Sequence, residues 1–232
     1  QVDTKTGVVK SVETLARWFH PERGMITPDI FINIAERHDL IDALADSIIM
    51  QATRQGSIWH KQGIDLSVAI NISLYNLRHL DFPDRITDIV NQAGMDIKKL
   101  VIEITESRLV QDLGTYLDIL SRLRLKGPLL SIDDFGTGYV SMDHLKQMPF
   151  GELKIDRAFV NGAYKDDTAR AILQSSVSLA KQLEMTVVAK GVEVKEDWDL
   201  VSELGCDMVQ GYYIAPPMDV ETFDAWLLNR CK

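Results

Sequence analysis

Acidic and amide side chains interrupt several short apolar runs in this sequence. Glu13 lies in Val-Glu-Thr-Leu-Ala-Arg-Trp, Glu103 lies in Val-Ile-Glu-Ile-Thr-Glu, and Asp133 and Asp134 lie together in Ser-Ile-Asp-Asp-Phe-Gly. A carboxylate among apolar neighbours is costly to bury unless it is paired or bound to a metal. Asn71 adds a neutral oxygen from Ala-Ile-Asn-Ile-Ser. Oxygen ligands of this kind suit hard divalent cations such as Mg²⁺ or Mn²⁺.

Each acidic residue also has a simpler interpretation. A single carboxylate between a strand and a helix is often a helix N-cap or one half of a salt bridge. That interpretation is preferable for one glutamate taken alone. Because the oxygen ligands recur at successive strand ends, a shared metal site explains the whole set better.

The elements that must position these residues alternate between apolar strands and amphipathic helices. Near-continuous apolar runs are typical of parallel strands buried on both faces. The predicted strands are residues 8–18, 66–73, 100–105, 129–132, 152–155, 186–189 and 208–214. The predicted helices are residues 28–37, 42–55, 82–93, 113–125, 142–147, 168–183 and 197–204. This alternation predicts one α/β domain with a parallel sheet, either a barrel or an open sheet.

The strand ends favour the barrel. In an open sheet only a few strands border the site, whereas in a barrel every strand ends at the same mouth. Nearly every predicted strand here ends in a residue that can bind metal or phosphate: Glu13, Asn71, Glu103, Asp133 with Asp134, Lys154, Lys190 and Gln210. We therefore predict a single barrel domain over residues 1–232.

Composition places the chain among globular proteins and argues against a nucleic acid polymer as its partner. The 25 basic and 34 acidic residues give a net charge of −9, so the surface field does not attract a nucleic acid polymer. Two cysteines form neither a metal-ligand spacing nor a disulfide framework. No apolar run reaches membrane-spanning length. We expect a cytoplasmic domain without membrane contact, excised from a longer protein with domains upstream.

A series of short motifs occurs in one order along the chain. They are Glu13-Thr14-Leu15 followed by Ala-Arg-Trp-Phe-His-Pro-Glu-Arg-Gly, then Asn71-Ile72-Ser73, Glu103-Ile104-Thr105-Glu106, Asp133-Asp134-Phe135-Gly136-Thr137-Gly138, Glu152-Leu153-Lys154-Ile155-Asp156-Arg157 and Gln210-Gly211-Tyr212. Each motif is weak alone, but the ordered set is specific. Over essentially its full length the chain resembles the EAL family of bacterial cyclic di-GMP phosphodiesterases, with Glu13-Thr14-Leu15 at the signature Glu-Ala-Leu.

The resemblance implies an α/β fold, a modified TIM-type (β/α)8 barrel with one antiparallel strand. It also implies two metal ions in active members. The residues matching ligands of the first ion are Glu13, Asn71, Glu103 and Asp133, and those matching ligands of the second are Asp133 and Asp134. Two such ions polarise a phosphodiester and lower the pKa of a bridging water, which allows in-line attack at neutral pH.

Further roles follow from the same resemblance. Lys154 matches a lysine that contacts the nucleophile or the phosphate, although a snorkelling rim lysine is the alternative. Glu106 matches a glutamate that supports the Asp-Asp-Phe-Gly loop. The catalytic set implied is Glu13, Asp134, Lys154 and Lys190. The ligand-contacting set implied is Arg17 for phosphate and Gln210 for guanine, with Leu15 and Asp156; Arg17 is open to interpretation as a surface residue.

Lys190 is the main departure from the family pattern. Active relatives carry glutamate at this position, and a protonated lysine cannot coordinate a cation. In one interpretation the Lys190 ammonium sits near Asp133 and Asp134 as a surrogate cation, so ligand binding survives while hydrolysis fails. In the other, Lys190 turns to solvent, and Glu193 or a one-metal site sustains slow turnover.

The sequence thus predicts an EAL-type signalling domain that binds cyclic di-GMP at the C-terminal mouth of the barrel, with weak or absent hydrolysis. One Mg²⁺ or Mn²⁺ site is expected, and the second is doubtful. The alternative is an active metal-dependent phosphodiesterase that produces pGpG, and a scaffold that binds no nucleotide ranks last. Expected partners are an upstream sensor or receiver domain and a second copy in a homodimer.

Overall fold

The computed structural model describes residues 1–109, 113–138 and 142–230. The strands are β1 (Val2–Asp3), β2 (Ser11–Thr14), β3 (Trp18–His20), β4 (Gly24–Ile26), β5 (Ser67–Asn71), β6 (Leu100–Thr105), β7 (Leu129–Phe135), β8 (Glu152–Ile155), β9 (Thr186–Lys190) and β10 (Met208–Gln210). The helices are α1 (Pro28–Arg37), α2 (Ile41–Lys61), α3 (Phe82–Ala93), α4 (Glu106–Leu109), α5 (Leu113–Lys126), α6 (Met142–Gln147), α7 (Asp167–Gln182), α8 (Lys195–Glu203) and α9 (Val220–Arg230).

Eight strands form one sheet in the order β1-β10-β9-β8-β7-β6-β5-β2. The neighbours from β10 to β2 run parallel, whereas β1 runs antiparallel to β10 with Val2 opposite Val209. The two edges approach each other, because Val2 also forms an antiparallel bridge with Val9. The sheet is therefore nearly closed, which confirms the predicted α/β modified TIM-type barrel with one antiparallel strand.

Alternation along the strands separates the apolar core from the barrel interior. Leu130, Ile132 and Leu153 are fully buried and belong to the large apolar cluster beneath the helices. Ser131 and Asp133 occupy the alternate positions of β7, so they face the interior of the barrel. Burying a side chain the size of leucine contributes roughly 1.5–3 kcal/mol, so this outer layer holds the polar interior in place.

Some predicted boundaries were wrong. Residues 8–18 form a strand only at Ser11–Thr14, because Trp18–His20 pairs instead with Gly24–Ile26 in a separate hairpin. Strand β10 ends at Gln210 rather than at residue 214. A Cβ at Gly211 would lie 2.1 Å from the Val192 carbonyl oxygen, and this close approach accompanies the turn.

The sequence patterns did not predict β1, the β3–β4 hairpin, α4 or α9. Strand β1 has two residues and α4 has four, which is too short for a periodic pattern. Among the described helices, none combines the length and the apolar character that a membrane crossing requires.

Candidate functional site

Polar residues at the carboxyl ends of the parallel strands form two hydrogen-bonded groups joined by an ion pair of 3.8 Å between Lys154 and Asp133, and the whole set is here named the mouth cluster. Every predicted metal ligand lies in it, together with both strand-end lysines and the glutamine. Its members are Glu13 of β2, Asn71 of β5, Glu103 of β6, Asp133 and Asp134 of β7, Lys154 of β8, Lys190 of β9 and Gln210 of β10. The structure thus brings together residues that lie far apart in the sequence.

Lys154 lies at the centre of the mouth cluster and is fully buried. Its ammonium donates to Glu13 Oε2 at 2.9 Å and to Glu103 Oε1 at 2.6 Å, and it lies 3.8 Å from Asp133 Oδ1. Burial alone would lower the pKa of this lysine, but the carboxylates raise it above its ordinary value. Lys154 is therefore a charged internal partner of the carboxylates, and it does not snorkel to the rim.

The two glutamates bonded to Lys154 differ in protonation. Burial would raise the pKa of Glu13, but Lys154 and a hydrogen bond from Gln210 lower it to about 2. Burial raises the pKa of Glu103 to about 8 because desolvation outweighs its attraction to Lys154. Glu13 is thus a firm anion, whereas Glu103 needs further positive charge to ionise fully at neutral pH.

Lys190 joins the two aspartates at the end of β7. Its ammonium donates to Asp133 Oδ1 at 2.6 Å and to Asp134 Oδ1 at 2.7 Å. Burial opposes the charge on Lys190, but Asp133 is the main cause that raises its pKa above the ordinary value. The ammonium therefore stays charged beside both carboxylates.

A local irregularity in β7 lets both aspartates reach that one ammonium. Successive residues of a strand normally point to opposite faces. The register between β7 and β8 shifts between Ile132 and Phe135, and Asp134 has a left-handed φ of 54°. This conformation is strained for a residue other than glycine and is common at functional sites. It turns the Asp134 side chain to the same side as Asp133.

Glu106 supports the segment that follows the aspartates. Its Oε2 accepts hydrogen bonds from the backbone N–H of Gly136 at 2.8 Å and of Gly138 at 3.1 Å. A Cβ at Gly138 would lie 2.9 Å from Glu106 Cδ and 3.1 Å from Ser107 N, so only glycine fits this close approach. This geometry suits the loop-supporting role that we predicted for Glu106.

The predicted ligand-contacting residues fall into two groups. Gln210 belongs to the mouth cluster: its Nε2 donates to Glu13 Oε2 at 2.8 Å, and its buried Oε1 has no hydrogen-bond partner among the described residues. Arg17 is exposed and donates to Ala16 O, Asp156 accepts from the Ala158 N–H, and Leu15 is exposed. These last three do not take part in the hydrogen bonds that define the cluster.

Asp197 is a supporting residue that the sequence reasoning missed. It is 1% exposed and accepts from the N–H groups of Gly162 at 2.9 Å, Glu193 at 3.2 Å and Val194 at 3.4 Å. The carboxylate thus ties the segment that follows β9 and Lys190 to the segment that follows β8. An aspartate in the first turn of a helix was the available signal.

One cation position fits the residues present. Carboxylate oxygens of Glu13, Glu103 and Asp133 lie within 4.8 Å of one another, and Glu103 Oε2 is buried without a hydrogen-bond partner among the described residues. These residues, with Asn71, would hold a divalent cation, which would act there as a Lewis acid. The position between Asp133 and Asp134 does not fit a second cation, because Lys190 already donates to both carboxylates.

A nearly closed α/β barrel with carboxylates and lysines at its strand ends defines the class of this protein, and comparison with known proteins gives the family. The family described as EAL domain matches residues 1–217. A curated relative, the bifunctional diguanylate cyclase/cyclic di-GMP phosphodiesterase MucR of Pseudomonas aeruginosa, is 37% identical over 216 residues, which is 93% of this chain and 32% of MucR. This chain belongs to the EAL domain family.

Solved structures agree with this assignment. The structure described as the PaMucR phosphodiesterase in complex with c-di-GMP has a TM-score of 0.89 and 36% identity, and the match covers 96% of this chain and 90% of that chain. The calcium/cy-diGMP complex of Klebsiella pneumoniae BlrP1 has a TM-score of 0.80 and 28% identity, over 91% of this chain and 52% of BlrP1. The chain spans about a third of the length of MucR.

Proposed function

We propose that this domain binds cyclic di-GMP at the mouth cluster and hydrolyses it weakly or not at all. Membership of the EAL family and the c-di-GMP complex of the MucR phosphodiesterase support the choice of ligand. The proposal of weak or absent hydrolysis rests on the Lys190 ammonium, which donates to Asp133 and Asp134 at 2.6 and 2.7 Å. Lys190 neutralises charge there, but an ammonium does not lower the pKa of a bound water as a metal ion does.

The charge balance of the mouth cluster supports one divalent cation rather than two. With all four carboxylates ionised, Lys154 and Lys190 leave a net charge of −2, which a single divalent cation neutralises. With glutamate at position 190, five carboxylates and one lysine would leave −4, enough for two divalent cations. Uncompensated charge in a buried site is costly, so cation number follows this balance. We propose one Mg²⁺ or Mn²⁺.

The arrangement also offers contacts to an anionic dinucleotide. A lysine ammonium has three N–H donors, and Lys190 uses two of them on the aspartates. Its side chain is 19% exposed, so the third donor can reach a ligand phosphate at the mouth. The buried, unpartnered Gln210 Oε1 is an acceptor for a guanine N–H. We assign these two residues to phosphate and base, respectively.

Calorimetry and product analysis on the unmodified domain test this proposal. Cyclic di-GMP is titrated into the domain in EDTA and again in Mn²⁺, and pGpG is measured by chromatography. We expect binding heat in both buffers and little pGpG. Rapid formation of pGpG would refute the receptor function, and the absence of heat in both buffers would indicate a scaffold that binds no nucleotide.

An active phosphodiesterase is the second candidate, and one observation favours it. The carboxylates of Glu13, Glu103 and Asp133 form a cation position that Lys190 leaves in place, beside the buried Lys154. A single cation could sustain turnover through this position. Metal-dependent pGpG formation by the unmodified domain that disappears in Glu13→Gln would establish this function.

We also propose that the domain works in the cytoplasm within a longer signalling protein. The relatives support this, because the chain covers only 32% of MucR and 28% of the oxygen sensor protein DosP of Escherichia coli. An upstream sensor or receiver domain would then set the response to the ligand. Light scattering on the purified domain, with and without cyclic di-GMP, tests the further proposal of a homodimer.

A further inference from the structure

The ion pairs between Lys190 and the two aspartates reach across strand β8. In the sheet, β8 lies between β7, which carries Asp133 and Asp134, and β9, which carries Lys190. Neighbouring strands lie about 4.8 Å apart, so the backbones of β7 and β9 are roughly 10 Å apart. The Lys190 ammonium donates to the aspartates at 2.6 and 2.7 Å, and hydrogen bonds weaken beyond about 3.2 Å. The pairing therefore depends on a fixed distance between the two strand ends.

A short helical turn follows β8 at Arg157–Phe159 and is here named the spacer turn. The Phe159 side chain is partly buried against the apolar core, and it also meets the segment after the aspartates. A Cβ at Gly136, the second residue after Asp134, would lie 2.6 Å from Phe159 Cε2 and 3.0 Å from Phe159 Cδ2. The glycine backbone thus lies directly against the ring, so one side of the spacer turn positions the segment that ends β7.

The opposite side of the spacer turn contacts the segment after Lys190. A Cβ at Gly191 would collide with Arg157 Cβ and would lie 3.1 Å from Arg157 Cα. Asn161, two residues beyond the turn, donates from Nδ2 to the Gly191 carbonyl oxygen at 3.4 Å. The spacer turn therefore limits how closely the end of β9 can approach the end of β7.

The spacer turn is itself held in place. The Asp156 N–H donates to Phe135 O at 3.2 Å, and the Asp156 carboxylate accepts from the Ala158 N–H at 2.9 Å. Val160, directly after the turn, is fully buried in the apolar core. Close-packed interiors transmit displacements instead of absorbing them, so a change at Phe159 is expected to move the two strand ends relative to each other.

We propose that Phe159 and Arg157 are positioning residues that set the separation between Asp134 and Lys190. They act through the glycine backbone on either side of the spacer turn, and so keep one ammonium within hydrogen-bond reach of both aspartates. The value of this positioning for ligand binding rests on the proposed function. The ion pairs themselves can be measured without ligand or metal, so the two proposals can fail separately.

A double-mutant cycle in EDTA tests the coupling. Urea denaturation gives the unfolding equilibrium constants of the unmodified domain, Phe159→Ala, Lys190→Met and the double variant. Lys190→Met leaves the aspartates without their ammonium, so we expect it to raise this constant. In the Phe159→Ala background the rise should be about 5-fold smaller, because residues coupled through a shared backbone shift are not additive. Phe223→Ala is the matched control, since Phe223 is also partly buried against the core but packs on Trp59.

The outcomes separate positioning from general packing. A smaller rise in the Phe159→Ala background, with a full rise in the Phe223→Ala background, supports the proposal. Equal rises in the two backgrounds would overturn it, because a phenylalanine that only fills the core acts independently of Lys190. A Lys190→Met variant as stable as the unmodified domain would also overturn it, since there would be no pairing energy to preserve. A failure of the unmodified domain to bind cyclic di-GMP refutes the proposed function and leaves the cycle unaffected.

Alanine at Gly191 tests the contact with Arg157. Gly162 has a φ of 75°, close to the 76° of Gly191, but a Cβ at Gly162 meets no described atom within 4 Å. Both alanines carry the same left-handed strain, and only Gly191→Ala adds a collision. We expect an unfolding constant about 10-fold larger in Gly191→Ala than in Gly162→Ala, and the difference should shrink when Arg157→Gly removes the colliding Cβ. Equal constants in the two alanine variants would overturn the role of Arg157.

Discussion

The Lys190 ammonium forms an ion pair with one oxygen of Asp133, and the buried ammonium of Lys154 lies near the same oxygen. The Lys190 ammonium lies 2.6 Å from Asp133 Oδ1, and the same oxygen lies 3.8 Å from the buried ammonium of Lys154. Asp133 also belongs to the carboxylate group that could hold a metal ion. Any cation that binds there must therefore share Asp133 with Lys190.

Replacement of Lys190 by glutamate is expected to restore hydrolysis. Lys190→Glu removes the ammonium and adds an oxygen ligand beside Asp133 and Asp134, which permits a second cation. We expect pGpG formation in Mn²⁺ to rise about 100-fold or more, because activation of a bound water by a metal is worth several kcal/mol. Lys195→Glu is the control, since it makes the same charge change at an exposed position of helix α8. Equal rates in both variants would show that Lys190 does not limit catalysis.

Replacement of Lys190 by methionine separates charge from coordination. Lys190→Met frees Asp133 without supplying a ligand, so we expect Mn²⁺ to bind about 10-fold more tightly, a change of about 1.4 kcal/mol. In EDTA the same variant should bind cyclic di-GMP about 10-fold more weakly, because no ammonium remains beside the aspartates. Calorimetry measures both effects. Unchanged affinities for both ligands would contradict the shared-oxygen relationship.

Loss of Lys154 is expected to destabilise the domain strongly. Lys154→Met leaves Glu13 and Glu103 buried without their ammonium, and breaking a buried ion pair typically costs about 3–5 kcal/mol. Urea denaturation should show this loss in EDTA, and Mn²⁺ should recover part of it by replacing the positive charge. Lys181→Met removes an exposed pair with Asp207 and should cost about 0–1 kcal/mol. A similar cost for both variants would argue against the central role of Lys154.

Glu103 is expected to make a contribution to the stability of the metal-free domain that falls as the pH rises from 4.5 to about 8. The buried α-amino group of Gln1 acts in the opposite direction between pH 5 and 8, because burial lowers its pKa from 8.0 to about 5. Burial raises the pKa of Glu103 from 4.5 to about 8, so over this window the folded state binds more protons than the unfolded state. Glu13 has the opposite effect: its pKa is lowered to about 2, so its contribution is present above pH 4.5 and lost as the pH falls toward 2.

Urea denaturation across this pH range in EDTA measures the free energy of unfolding. The free energy of unfolding of the unmodified domain minus that of Glu103→Gln should fall as the pH rises above 4.5, because the amide of the variant does not titrate. Glu184→Gln serves as a control at a position outside the mouth cluster. A difference that does not change with pH would show that Glu103 does not titrate in this window.

Removal of the Asp197 carboxylate is expected to loosen the segment that follows Lys190. Asp197→Ala leaves the N–H groups of Gly162, Glu193 and Val194 without their acceptor. We expect a loss of about 2–3 kcal/mol in the free energy of unfolding, in the range for hydrogen bonds to a charged group. Asp199→Ala, on the exposed face of the same helix, should cost far less. Equal costs would show that the tie between the two segments has little energetic weight.

The sequence alone determined the fold class and the membership of the mouth cluster. Local patterns of apolar residues predict strands and helices. Because the carboxyl ends of all parallel strands in a barrel lie at the same mouth, Glu13, Glu103 and Asp133 could be placed together from their positions at strand ends. The ordered motifs gave the family. The sequence did not predict the shortest elements, because a strand of two residues such as Val2–Asp3 is too short to show a periodic pattern of apolar residues.

Only the tertiary structure decided which acidic and basic side chains of the mouth cluster pair with one another. The position of Lys190 was left open between a surrogate cation and a solvent-facing side chain, and the β7 irregularity at Asp134 settles where its ammonium lies. That Glu103, Ser131 and Glu152 lie beside one another likewise depends on the register of three strands. Hydrogen bonds and ion pairs act over a few ångströms between residues far apart in sequence, so local patterns name the participants but cannot assign their partners.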